Sequence, residues 1–117
     1  MKKILIIDDS SLSRKILKRM IGEENFVFVE AGDGESALIV FEEEHPDLVL
    51  LDLNMSGMSG LEVLRKIRNL DPQAKIIIGS ADIQQATIDE LMEAGAIAYI
   101  TKPFKQEQLI ETIRRFI

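Results

Sequence analysis

Leu48-Val49-Leu50-Leu51-Asp52-Leu53-Asn54-Met55 is the stretch on which the fold turns. Four consecutive apolar residues, entered from Pro46-Asp47, read as a strand buried on both faces, the mark of a parallel sheet covered by helices on each side. Such a strand seldom ends on a carboxylate. If it lies at the centre of an open α/β sheet, Asp52 stands at the carboxyl edge, where the ligand crevice of such sheets opens.

Upstream, Ile4-Leu5-Ile6-Ile7 is a second wholly apolar run, and it too ends on acids, Asp8-Asp9. Ser10 and Ser11 are helix-capping types, after which Leu12, Ile16, Met20 and Ile21 recur at helical spacing as far as Gly22. Phe26-Val27-Phe28-Val29 predicts the next strand. The turn Ala31-Gly32-Asp33-Gly34 follows, with Asp33 placed to cap a helix carrying Ala37, Leu38 and Phe41 on one face.

Downstream of Asp52, Ser56-Gly57-Met58-Ser59-Gly60 predicts a flexible loop, then a helix marked by Leu61, Leu64 and Ile67 and ended by Asp71-Pro72. Ala74-Lys75-Ile76-Ile77-Ile78 is the fourth strand, running out at Gly79-Ser80-Ala81-Asp82. A helix with Ile88, Leu91 and Met92 begins near Gln84 and stops at Gly95. Ala96 to Thr101 is a short fifth strand. Lys102-Pro103-Phe104 turns the chain into a last helix, buried through Leu109, Ile110, Ile113, Phe116 and Ile117. Five strands alternating with five helices over short connections predict one α/β domain over residues 1–117, a doubly wound parallel sheet with right-handed crossovers.

The 117 residues suffice for a core without staples, and the absence of cysteine excludes disulfides, thiolate chemistry and Cys-ligated zinc. Twenty acidic residues against fourteen basic ones give a formal net charge of -6. That is the wrong sign for gripping a polyanion, so no direct nucleic-acid contact by this domain is expected. No apolar run approaches the ~20 residues of a membrane span, and Met1-Lys2-Lys3 leads straight into a strand rather than a signal sequence, which implies no membrane contact and a cytoplasmic location.

Chemistry is concentrated where the strands end. The first ends on Asp8-Asp9, the third on Asp52, the fourth on Ser80 and the fifth on Lys102, and in a parallel sheet those ends share one edge. The second, ending on Glu30-Ala31, adds nothing obvious and reads as an edge strand. Three converging carboxylates repel one another, and burial further disfavours their charged forms. A divalent cation removes the conflict. Carboxylate and carbonyl oxygens with water suit Mg²⁺, which takes an octahedron of hard ligands at about 2.1 Å. His45, isolated between an acidic helix end and Pro46, reads as a solvated helix-end residue and offers no zinc site. Lys102 and Ser80 at the same edge call for an anion with several oxygens, and a phosphoryl group fits. Asp52 is then its nucleophile, with metal and lysine neutralising the charge in transfer.

With those residues in place the sequence resembles, over essentially its whole length, the receiver domains of two-component response regulators, and among them the chemotaxis receivers. The matching positions are Asp8-Asp9, Asp52, Ser80-Ala81, Tyr99 and Lys102-Pro103-Phe104. The resemblance implies a flavodoxin-like sheet of order 2-1-3-4-5. It implies phosphorylation of Asp52 by the phosphohistidine of a sensor histidine kinase or a phosphotransfer protein. Mg²⁺ would be held by Asp9, Asp52 and the Asn54 backbone carbonyl, with Asp8 assisting through water, and the Lys102-Pro103 peptide would be cis. It also implies a switch in which Ser80 moves toward the phosphoryl group and Tyr99 rotates inward. The face of the fourth helix, fifth strand and fifth helix is thereby remodelled for a downstream protein target or a fused output module. Asn54 and Asp82, each two residues beyond a site residue, would flank the path of a hydrolytic water and tune dephosphorylation.

Blander readings stand beside these. Asp9 alone could cap the first helix, although a second adjacent acid makes capping an insufficient account. Tyr99 could simply pack, and Lys102 could be a surface lysine were it not followed by Pro103 at a strand end. Arg14-Lys15 with Lys18-Arg19 reads first as a solvated helix face and second as a docking patch for a kinase's partner domain. Ser56 stands where many receivers have proline and Gly79 where a bulkier residue is frequent, so looser loops are expected there. A flavin or nucleotide carrier needs a phosphate-cradling corner that Asp8-Asp9 would repel, and a phosphatase of the haloacid dehalogenase type needs an Asp-x-Asp that Asp8-Asp9-Ser10 lacks. The remaining alternative is a degenerate receiver acting only as a protein-interaction module.

Overall fold

In the computed structural model, which describes residues 1–82 and 84–117, the apolar runs become the strands of one parallel sheet. The strands are β1 (Lys3–Ile7), β2 (Val27–Ala31), β3 (Leu48–Asp52), β4 (Ile76–Ser80) and β5 (Ala98–Thr101); the helices are α1 (Ser11–Ile21), α2 (Gly34–Glu44), α3 (Gly60–Leu70), α4 (Gln85–Glu93) and α5 (Gln106–Phe116). The order β2-β1-β3-β4-β5 is the flavodoxin-like one and places β3 at the centre. Ile7 pairs with Leu51, Asp52 with Gly79 and Ser80 with Thr101, so four strands end nearly level.

Alternation along each strand builds two cores. Leu5, Ile7, Leu51 and Ile78 face Ala37, Phe41, Leu64 and Ile67 of α2 and α3, with Leu91 of α4 on the same side. Ile4, Ile6, Leu50 and Ile77 face Leu17 and Ile21 of α1 and Leu109 and Ile113 of α5. Each such Leu or Ile, once buried, contributes about 1.5–3 kcal/mol relative to exposure. That surplus lets one end of the sheet carry buried charge.

The helix starts follow local chemistry. Asp33 accepts from the Ser36 N–H at the head of α2, as its sequence position implies, and Ser59 does the same for Glu62 at α3. At α1 the cap is Ser10, whose Oγ accepts from Ser13, so Asp9 is not used for capping. His45 ends α2 in the left-handed region (φ 47°) and is exposed.

Several expectations need correction. On α1 the stripe Leu12 and Ile16 is exposed (65% and 48%), while Leu17 is buried together with Ile21. Both stripes are spaced i, i+4, and it is packing against β1 and α5 that selects between them. On α4 only Leu91 is buried and Met92 faces out. β2 starts one residue later than its aromatic run suggests and continues to Ala31. β4 starts at Ile76, because the Ala74 N–H closes a turn on the Asp71 carbonyl (3.1 Å). β5 begins at Ala98 rather than Ala96, with Ala96 bonded back to the Leu91 carbonyl.

Candidate functional site

Among the described residues the buried polar side chains are Asp8, Asp52 and Ser80, at 3%, 8% and 0% exposure, and all three lie where the strands end. β1 runs into Asp8-Asp9, β3 closes on Asp52 and β4 on Ser80. Carboxylate oxygens of Asp8, Asp9 and Asp52 lie within 4.8 Å of one another. From the end of β5 Lys102 reaches back so that Nζ is 3.0 Å from Asp52 Oδ1 and 4.0 Å from Asp8 Oδ2. The Asn54 N–H donates to Asp52 Oδ1 at 3.2 Å. Both bonds to Asp52 converge on Oδ1, and no described residue donates to Oδ2.

This arrangement carries an electrostatic conflict. Burial pushes the Asp8 carboxyl above the usual carboxylate range. The Ser10 N–H and Lys102 pull it back while the charges of Asp52 and Asp9 push the same way as burial. Three carboxylates with hard oxygens and no imidazole or thiolate among them form a donor set for a divalent cation such as Mg²⁺. Asp9 is the exposed member, its Oδ2 accepting from the Ser56 N–H at 3.3 Å. A proline at position 56 could not make that bond.

Asp82 ties the site to its surroundings. Its N–H donates to Ser80 Oγ at 3.0 Å, and Ser80 Oγ also accepts from the Asn54 amide at 3.4 Å. The Asp82 carbonyl accepts from the hydroxyl of Tyr99. Its carboxylate accepts from the Gln84 N–H (2.8 Å) and the Thr87 hydroxyl (3.1 Å), capping the approach to α4. One residue thus joins the buried serine, the aromatic of β5 and the start of α4.

The Lys102-Pro103 peptide is cis. Beyond it Phe104 occupies the space above Gly79: a Cβ added there would lie 2.5 Å from Phe104 Cζ. Gly79 therefore marks a close approach rather than slack. Every site residue anticipated from sequence comes to this edge or its first neighbours. Three residues not anticipated as site residues, Glu30, Arg14 and Lys18, lie beside it. Glu30, at the end of β2, binds Arg14 and Lys18 of α1 (3.0 and 2.9 Å), and Arg14 Nη1 donates to the Asp8 carbonyl at 2.5 Å. The only sequence signal is the i, i+4 spacing of Arg14 and Lys18, which does not name an acid twelve or sixteen residues away.

The family model for the response regulator receiver domain matches residues 4–114. The chemotaxis protein CheY of Thermotoga maritima is 37% identical over 115 residues, which cover 97% of this chain and 96% of that protein. Among solved structures, CheY4 of Vibrio cholerae superposes with a TM-score of 0.93 at 26% identity, covering 100% of this chain and 99% of that one. A chain of the CheX-CheY-BeF3-Mg²⁺ complex of Borrelia burgdorferi superposes with a TM-score of 0.92 at 29% identity, covering 99% and 90%.

Proposed function

Because this chain belongs to the response regulator receiver family, we propose that Asp52 accepts a phosphoryl group from the phosphohistidine of a sensor histidine kinase or a phosphotransfer protein. An oxygen of Asp52 attacks phosphorus, an O–P bond forms as the P–N bond of the donor breaks, and the electron pair returns to the imidazole nitrogen. The observation that carries this reading is the Lys102 ammonium 3.0 Å from a carboxylate that a wholly apolar strand delivers to the ligand edge. Lys102 fixes the orientation of Asp52 and stands ready to bind an oxygen of the arriving group.

Asp9, Asp52 and the Asn54 carbonyl would hold Mg²⁺, with Asp8 assisting through water; when bound, the ion offsets negative charge on the transferring group. The Mg²⁺ named for the Borrelia neighbour agrees with the oxygen donor set found here. The direct test is to incubate the chain with Mg²⁺ and acetyl phosphate and weigh it intact. One phosphoryl group on the wild type, absent when Mg²⁺ is chelated, is expected. An unchanged mass would leave only the interaction-module reading.

The outgoing signal starts at Ser80. A phosphoryl group on Asp52 adds acceptor oxygens that compete for the Ser80 hydroxyl. Moving that hydroxyl gives up the Asp82 N–H and frees Asp82, on whose carbonyl Tyr99 is anchored, altering the face of α4, β5 and α5 that a downstream partner or output module reads. Tyr99 is the one tyrosine in a chain without tryptophan. Its intrinsic fluorescence should therefore change on phosphorylation in the wild type and not in Ser80→Ala.

Asn54 and Asp82 set the lifetime in this scheme. The Asp82 carboxylate orients a hydrolytic water once its bond to Thr87 is given up. Slower decay of the phosphorylated state in Asp82→Ala than in wild type is expected, and unchanged or faster decay defeats this role.

A further inference from the structure

The acidic corner is braced from a side that phosphoryl transfer does not use. Arg14 spans two elements: Nε donates to Glu30 Oε1 at 3.0 Å and Nη1 to the main-chain carbonyl of Asp8 at 2.5 Å. Lys18, one turn further along α1, holds the other oxygen of Glu30 at 2.9 Å. The Arg14 side chain is only 18% exposed and that of Lys18 23%, against 64% for Arg115 in its ion pair on α5. Lys18 and then Arg14 hold the Glu30 carboxyl below its usual range. This is a built bracket rather than a solvated pair.

What it grips is the peptide linking Asp8 to Asp9. The Asp8 N–H is already fixed on the Ala31 carbonyl (3.1 Å), and Asp8 Oδ1 on the Ser10 N–H (2.9 Å). Arg14 supplies the remaining hold, on the carbonyl between two carboxylates that must converge. We propose that Arg14, clamped by Glu30, is a positioning residue for the cation site, setting through the Asp8-Asp9 peptide how closely the two carboxylates approach. The proposal rests on the Mg²⁺ reading above.

Charge and position predict opposite signs. As a mere charge, a guanidinium on the Asp8 carbonyl competes with a cation, and Arg14→Ala should tighten Mg²⁺ binding. As a brace, its loss lets the peptide turn and binding weakens, by about tenfold on the scale of groups that orient metal ligands. Arg14→Lys keeps the charge but lacks the fork that spans Glu30 and the Asp8 carbonyl, so it should weaken binding too.

Titration of Mg²⁺ into the metal-free full chain by calorimetry gives Kd for wild type, Arg14→Ala, Arg14→Lys and Glu30→Gln, and melting without Mg²⁺ reports folding separately. Expected are an about tenfold higher Kd for both Arg14 variants and a smaller rise for Glu30→Gln. Binding by Arg14→Ala as tight as wild type or tighter, or wild-type binding by Arg14→Lys, overturns the proposal. Where Arg14→Ala does not fold, Arg14→Lys and Glu30→Gln decide on the same criterion. A wild type that binds no Mg²⁺ overturns the metal reading itself, an outcome distinct from a wild type that binds and variants that match it.

Discussion

Where β1 begins, Lys2 and Lys3 each have an acid of their own. Lys3 Nζ lies 2.9 Å from Glu44 Oε1, Lys2 Nζ lies 4.0 Å from Asp47, and all four side chains are open to water. At the edge where the strands end, Asp8, Asp9 and Asp52 cluster, Lys102 meets two of them, Asp8 and Asp52, and those two are almost sealed from water. Three carboxylates against one ammonium leave two negative charges. The first two pairs are matched one to one; the acid cluster carries a surplus of negative charge that the proposed divalent cation would offset. The same residue types thus make solvated pairs at one end and a buried acid cluster at the other, the difference being burial and count.

The sharpest way to break the contrast is to remove its centre. Asp52→Asn keeps size and polarity but deletes the nucleophile, and no phosphoryl group should be gained from acetyl phosphate with Mg²⁺ present, as read by intact mass. Phosphorylation of this variant to the wild-type extent would transfer the nucleophile to another acid.

Lys102→Ala unbalances the site further. The carboxylates lose their shared cation, and because Lys102 is only partly buried the metal-free chain should lose about 1–3 kcal/mol, less than a fully buried pair would cost. Mg²⁺ should bind this variant more tightly than wild type, since a competing charge is gone, while the fluorescence response of Tyr99 to phosphorylation falls. Weaker Mg²⁺ binding would show that the lysine shapes the acid cluster instead of opposing the ion.

Asp8 gives the comparison a pH signature. Its folded pKa is raised above the 3.8 of an ordinary aspartate, so the folded state binds its proton more tightly than the unfolded chain does. The associated stability is fully present below 3.8 and is lost as pH rises through the raised value. Metal-free melting temperature should therefore contain a component that increases as pH is lowered toward 4, and Asp8→Asn should remove it. Glu30 works in the opposite sense: its pKa is lowered, and its contribution, present above 4.5, is lost only as pH falls further. Saturating Mg²⁺ should suppress the Asp8 component and, at a hundred times its Kd, stabilise the fold by about 2.7 kcal/mol. No gain on adding Mg²⁺ would remove the cation from the account.

How much of this was legible beforehand differs by element. β1, β3 and β4 announce themselves, because a strand covered on both faces can hardly be anything but apolar, and a polar residue closing such a run is conspicuous. Hence Asp8, Asp52 and Ser80 could be placed at one edge by topology alone. α1 was opaque for the opposite reason. Its two apolar stripes, Leu12-Ile16-Met20 and Leu17-Ile21, are both helical in spacing, and the choice is made by α5, which the local sequence does not contain. Arg14 and Lys18 looked like part of a solvated basic face with Lys15 and Arg19; only the parallel pairing of β1 with β2 brings Glu30 beneath them. Gly79 looked like slack because nothing local says that Phe104, a strand away, fills the space.

The smallest effect belongs to the balanced edge, and it checks the contrast from the other side. Lys3 donates to Glu44 Oε1 and, at 3.1 Å, to the Glu44 carbonyl at the end of α2. Lys3→Met keeps most of the aliphatic stem that packs along the sheet and deletes the ammonium. Because water solvates both partners, the loss should be about 0.2–1 kcal/mol, and it should shrink as salt rises and screening shortens the reach of the pair. Mg²⁺ should shift the melting temperature of this variant by the same increment as wild type, since the Lys3 pair lies at the opposite end of the sheet from the acid cluster. An increment that changed with Lys3 would mean that the two ends of the sheet are electrostatically coupled, and that the conflict at the reactive edge is partly offset through the molecule.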